Sequence, residues 1–143
     1  MNKIILTPII LLLFLPNVLG VFTSGYFEGD PTSTTITVEE GELTNFTSTV
    51  FSTSSEISGN IIMRKNSQTI YTFAENYNTQ ESNNGFYSYN NNFDVNYSTY
   101  ANSCGDFIIT IQGYDTYNGQ TYGDYTDLTL NVVCNTAPEI SIP

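Results

Sequence analysis

Gly105-Asp106-Phe107-Ile108-Ile109-Thr110-Ile111-Gln112 and Leu128-Thr129-Leu130-Asn131-Val132-Val133 are the two most regular stretches of this chain. In the first, Phe107, Ile109 and Ile111 alternate with Thr110 and Gln112. In the second, Leu128, Leu130 and Val132 alternate with Thr129, Asn131 and Val133. Side chains on a strand switch faces at every residue, so both patterns read as half-buried β-strands. Asn118-Gly119 lies between them and is a favoured tight-turn pair. The reading is a C-terminal β-hairpin.

The chain's only two cysteines, Cys104 and Cys134, flank this hairpin, and the midpoint between them is residue 119. Antiparallel pairing brings them together at its open end. A register detail stands against simple pairing. Directly opposed residues share a face, so the apolar sets demand odd pair sums, while the cysteines give an even one. Either a bulge shifts the register or Cys104 sits in a Ser103-Cys104-Gly105 turn before the strand. The turn is favoured, because glycine reaches backbone angles closed to other residues. Such a bridge closes about 30 residues and contributes roughly 3–4 kcal/mol in the chain-entropy model.

Outward from the hairpin, apolar residues nowhere recur at helical spacing, and Thr, Ser, Val, Ile, Tyr and Phe dominate. Clusters of Gly, Asn, Asp and Ser punctuate the chain every ten or so residues, as in a sandwich or barrel. Strands are expected over residues 34–38, 43–51, 59–64, 69–73, 86–89 and 93–97. Glu39-Glu40-Gly41-Glu42 reads as an acidic turn, 52–55 as a polar loop, 65–67 as a turn, 76–85 as a loop and Asn90-Asn91-Asn92 as a turn. The register of 43–51 is open, since Leu43 opposes the face shared by Phe46, Ser48 and Val50.

The first 20 residues are not part of this pattern. Lys3 precedes an almost wholly apolar run over residues 4–15, followed by Pro16-Asn17 and then Val18-Leu19-Gly20. That is the layout of a secretory signal peptide cleaved after Gly20. A membrane anchor is the alternative, but twelve helical residues reach about 18 Å, short of a ~30 Å hydrocarbon core. No later segment is apolar enough to span a bilayer. The expected organisation is leader 1–20, lead-in 21–33, domain 34–134, and a linker or the start of a following domain at 135–143. An exported chain with an even cysteine count fits a disulfide.

The 143 residues hold 14 Asp plus Glu against 3 Lys plus Arg, with no His and no Trp. Loss of Lys3 with the leader leaves Arg64 and Lys65 against those 14 acids, a net charge of −12. Nucleic acid and anionic lipid should repel such a chain, because binders need a basic stripe. Without His there is no Ser-His-Asp or Cys-His arrangement, and nothing singles out a carboxylate pair for glycoside hydrolysis. No enzyme activity is expected.

Several phrases, taken in order, resemble the immunoglobulin-like, PKD-type and cadherin-like sandwich domains of prokaryotic secreted and surface proteins. Ile36-Thr37-Val38-Glu39-Glu40-Gly41-Glu42 resembles their opening strand and turn. Gly105-Asp106-Phe107-Ile108-Ile109-Thr110-Ile111-Gln112-Gly113-Tyr114-Asp115 is similar to their penultimate strand, and residues 128–133 to their last. Asn135-Thr136-Ala137-Pro138-Glu139-Ile140 resembles a linker between tandem domains. The resemblance covers roughly residues 30–140. It implies an all-β, immunoglobulin-like antiparallel sandwich of seven or eight strands with a structural or adhesive role outside the cell. The chain departs from antibody-type domains in having no Trp and a bridge between neighbouring strands. It departs from cadherin-like calcium linkers in lacking acids over 135–138.

Three groups are candidate sites. Asp115, Asp124 and Asp127 flank the hairpin loop as Glu39, Glu40 and Glu42 flank an early turn, and clustered carboxylates suit calcium. The alternative is turn acids solvated in water. Tyr114, Tyr117, Tyr122 and Tyr125 crowd the hairpin tip with Asn118, a mixture found in adaptable binding loops. They point to a glycan or a surface protein as partner, or else merely decorate a β-rich surface. Asn45-Phe46-Thr47 and Asn96-Tyr97-Ser98 are glycosylation acceptor patterns at Asn45 and Asn96. The roles weighed are therefore a structural or adhesive surface domain, a carbohydrate-binding or accessory module, and a filament subunit joined by strand exchange.

Overall fold

The computed structural model describes residues 20–28, 32–53, 56–81, 85–96, 98–101, 103–117 and 120–135. The expected leader up to residue 19, the Asn118-Gly119 turn and the linker beyond 135 lie outside the described residues. Among those described there is no helix, and hence none able to cross a membrane. Nine strands form instead: β1 (Val21–Phe27), β2 (Thr35–Glu39), β3 (Thr44–Ser52), β4 (Ser58–Lys65), β5 (Gln68–Asn78), β6 (Gln80–Glu81), β7 (Tyr87–Val95), β8 (Gly105–Tyr117) and β9 (Gln120–Val133). They build a β-sandwich-like pair of sheets, ordered β1-β3-β7-β6 and β2-β9-β8-β4-β5.

β8 and β9 pair antiparallel over thirteen residue pairs, from Gly105↔Val132 to Tyr117↔Gln120, with no register shift. Every pair sum is odd, as the apolar alternation requires. Phe107, Ile109, Ile111, Leu128, Leu130 and Val132 all face inward and are buried. β4 adds Ile61 and Met63 to the same side. Full burial of such side chains stabilises by about 1.5–3 kcal/mol each. The opposing sheet supplies Phe27, Phe46, Val50 and Val95. Phe46 meets Phe73 edge-on at 5.0 Å and stacks on Phe93 at 5.3 Å, tying β3 to β5 and β7. The open register of 43–51 is thereby decided: Phe46, Ser48 and Val50 point inward, and Leu43 is 68% exposed.

Four expectations are corrected. The sandwich begins before residue 34, because β1 pairs with β3 along its whole length. The inward positions of β1 include Thr23 and Gly25, which blurred its alternation. The run Asn90-Asn91-Asn92 is not a turn but the middle of β7, paired with Thr49, Ser48 and Thr47. Asn favours turns locally, yet Tyr89 and Phe93 on either side pack against the core and carry the run through as strand. The 76–85 loop is shorter than expected. β5 continues to Asn78 because Tyr77 is buried, and β6 follows once the Thr79 amide has donated to the Ile57 carbonyl and the Ile57 amide to the Thr79 hydroxyl, each at 3.0 Å. Finally, the sheets are not wholly antiparallel. The chain changes sheets between β1 and β2, and β2 runs parallel to β9.

Cys104 and Cys134 are bridged, with Cα atoms 5.3 Å apart. Both lie just outside the ribbon, and Gly105 takes a φ of +112° where Cys104 turns into β8. No bulge is needed. Lys65 closes the corner from beneath: its ammonium donates to the Cys104 carbonyl (2.6 Å) and the Ser103 hydroxyl (3.1 Å) and lies over the Phe107 ring. Replacing both cysteines by serine is expected to lower unfolding stability by roughly 3–4 kcal/mol, read from urea midpoints at an unchanged slope.

Candidate functional site

The β8–β9 ribbon has two faces. Its inner face forms the core. Its outer face, continued by β4 and β5, carries two cross-strand rows set by register. One row is Tyr125, Gln112 and Asn60; the other is Gly123, Tyr114, Ser58 and Asn78. Gly123 leaves a gap between Tyr114 and Tyr125. The result is an open depression of about 370 Å³ lined by Gln112, Tyr114, Gly123 and Tyr125, with Gly113 and Asp124 contributing to its floor. Tyr125 is 66% exposed.

The platform beneath is fixed. The Tyr77 hydroxyl donates to the Gln112 carbonyl, and its ring stacks on Tyr89 at 4.2 Å. Burial, then the neighbouring Tyr89 and Tyr114, push the Tyr77 phenol far above its ordinary range, so it stays protonated and donating. Gly59 makes room for that ring, since a Cβ there would meet the Gln112 carbonyl and the Tyr77 hydroxyl within 2.3 Å. Next to the depression, Arg64 donates to Thr110 (2.7 Å) and sits 3.5 Å from Asp127, to which the Thr110 hydroxyl donates at 2.6 Å. That pair neutralises itself.

The tyrosines divide. Tyr114 and Tyr125 share the outer face and define the depression. Tyr117 and Tyr122 pair with Gln120 and Asp115 at alternate register positions, and Asn118 lies outside the described residues. Among the described residues the depression lies on a sheet face, while the Asn118-Gly119 loop tip that the sequence indicated lies outside them. Gln112, Asn60 and Gly123 belong to that face and escaped sequence reasoning. Their signal was the register itself, which pairs Gly123 with Tyr114 and Gln112 with Tyr125.

The acids do not gather as a calcium site would require. Asp127 projects from the outer face to Arg64, whereas Asp124 lies on the inner side and accepts from the Thr23 amide (2.8 Å) and hydroxyl (3.1 Å). Asp115 shares that inner side with Asp124. No group of three Asp, Glu, Cys or His suited to a metal occurs among the described residues. In the acidic turn, Glu42 accepts from the Glu39 amide at 2.8 Å and Glu40 from the Asn135 amide at 3.3 Å. These carboxylates hold backbone.

Both acceptor asparagines are placed on the surface. Asn45 lies on the outer side of β3 opposite Asp94 and is half-buried. Asn96 is exposed after β7, and its side-chain oxygen accepts from the Ser98 amide (3.0 Å) and hydroxyl (2.6 Å). Tyr100, which no sequence signal marked, is fully buried in the β7–β8 connection, and its hydroxyl accepts from the Gly41 amide at 2.7 Å. A second aromatic row, Phe22, Phe51 and Phe86, lies outside the four-stranded sheet.

No family model matches the chain, and neither does any curated protein.

Asp124 and Thr126 together close the free edge of β1, since the Thr126 hydroxyl donates to the Thr23 carbonyl at 2.9 Å. Asp124→Ala leaves the Thr23 amide unmatched. It is expected to cost about 1–3 kcal/mol in urea unfolding and to raise the sedimenting oligomer fraction, because a bare strand edge pairs with other chains.

Proposed function

We propose that this chain is an immunoglobulin-like sandwich domain exported from the cell, with a structural or adhesive role and no catalysis. The strand order supports the immunoglobulin-like part. In that family one sheet holds the first, second, fifth and fourth strands, and the other holds the third, sixth and seventh. With β2 and β5 taken as additions along the second sheet, β1-β3-β7-β6 and β9-β8-β4 follow the same order. The leader pattern and the disulfide support an oxidising, external location.

The observation that carries the adhesive reading is that each described edge is blunted while a flat aromatic patch stays open. The β1 edge is closed by Asp124 and Thr126. At β2, Ser33 satisfies the Thr35 amide and carbonyl, and Glu42 the Glu39 amide. β5 meets β4 through three register shifts. β6 is two residues long, and along the exposed remainder of β7 the Asn91 side chain accepts from the Asn92 amide. Bulges, short strands and side-chain caps discourage strand addition. They weigh against a filament built by strand exchange. The ends fit a domain that spaces or presents others. Val21 lies level with Gly113, while β9 finishes level with Gly105, eight residues or about 27 Å along β8.

A second reading, a carbohydrate-binding or accessory module, is favoured by the Tyr114–Tyr125 depression. The main reading is tested by producing the full chain with a C-terminal tag in an exporting host. The tagged protein should reach the medium or the cell surface, begin at Val21 and shift on gels only after reduction. A chain retained in the cytoplasm, still beginning at Met1 and with free thiols, would sink the proposal.

A further inference from the structure

One part of the outer face of the five-stranded sheet carries only uncharged side chains, in a protein with 14 acids and 3 bases. Around the depression, outward positions are Gln112, Tyr114, Thr121, Gly123 and Tyr125 on the ribbon, with Ser58 and Asn60 on β4. The adjoining charges on the ribbon and β4, Asp127 and Arg64, lie 3.5 Å from each other, and the Asp124 carboxylate is engaged by Thr23. An acidic surface that turns neutral in one place, and there exposes the Tyr125 ring beside a half-buried Tyr114, suits a ligand that is itself neutral.

From this we infer that the face binds a neutral glycan lying across the strands, an inference that rests on the carbohydrate-binding reading above. The chemistry follows from the two rows. The apolar C–H face of a sugar ring stacks on an aromatic ring, and Tyr125 and Tyr114 stand diagonally across the ladder, about 7–8 Å apart at Cα. Gly123, opposite Tyr114, has no side chain, so a ring can settle on the sheet between them. Hydroxyl groups need partners that both donate and accept. Gln112 offers an amide beside Tyr125, and Asn60 is its neighbour on β4. The Asn60 oxygen already accepts from the Asn76 amide at 2.9 Å, which orients its NH₂ group as a donor. Ser58, bonded to Asn78 at 3.3 Å, closes the second row. From β9 to β5 the face spans three strand spacings, about 14 Å, which suits an oligosaccharide over a single sugar. The site is preorganised, because its residues sit on paired strands and the Tyr77 hydroxyl pins the Gln112 backbone.

The experiment is affinity electrophoresis of the full chain, produced in an exporting host, through gels holding a β-glucan, a mannan, a galactan, a xylan or soluble chitin oligomers. Retention by at least one of them, unchanged by added salt, is expected. Tyr125→Ala and Gly123→Thr should each weaken it about tenfold or more, since each removes a platform or fills the gap. Tyr125→Ala is the guard against misfolding, because its side chain is 66% exposed and its melting temperature should match the parent's. A Cβ at 123 would sit 3.1 Å from the Gly113 carbonyl and 3.4 Å from the Tyr114 Cβ, so the melting temperature of Gly123→Thr is recorded beside its retention. Absence of retention in every gel would overturn the inference, as would retention that both variants keep. Retention that added salt abolishes would also overturn it and would indicate a charged partner. Surface exposure of the tagged chain is scored separately. A chain exported but never retained defeats the glycan site and leaves the adhesive reading standing. A chain that is retained but never exported does the reverse.

Discussion

The uninterrupted β8–β9 ladder is the constraint on which the rest of this structure depends. Its period of two sends Phe107, Ile109, Ile111, Leu128, Leu130 and Val132 to one side and Gln112, Tyr114 and Tyr125 to the other. A slip of one residue would exchange the two sets and ruin core and surface together. The disulfide sits just beyond the open end, where it resists such slippage in the unfolded chain as well as the folded one. β4 then pairs with β8, β2 with β9, and the second sheet closes over the apolar side.

Charge is arranged around the same ribbon. Both basic residues of the described chain stand at the end of β4 and serve β8. Arg64 links it to β9 through Thr110 and Asp127, and Lys65 supports the Cys104 corner. Several acids accept from backbone amides, with Asp124 joining the two sheets at Thr23. The acidic composition therefore has local structural uses in addition to solubility.

Much of the architecture was legible in the sequence. The alternation in 107–112 and 128–133 marks the central strands, and the parity of the cysteines places Cys104 outside the ladder. What stayed hidden depends on contacts distant in sequence. β1 offers Thr23 and Gly25 to the interior, and only its pairing with β3 makes it a strand. The Asn90–Asn92 run has turn chemistry, and neighbours held in the core override it. The parallel course of β2 beside β9 has no local signature. The tyrosines drew attention to the hairpin, but composition cannot separate a loop tip from a sheet face. The distinction lies in register, which pairs Tyr114 with Gly123 and leaves the gap. The acids misled for a related reason: proximity in sequence says nothing of which side of a strand each one takes.

With the longest unbroken ladder and the largest share of the core, the β8–β9 ribbon should be the last part of the fold to open. Native-state hydrogen exchange measures this directly. The amides of Ile109, Ile111, Leu128 and Leu130 should exchange only through global unfolding, with the slowest rates in the molecule. If those amides instead exchanged through local opening while β3 and β7 stayed protected, the ribbon would not be the frame of the sandwich, and this account would be contradicted.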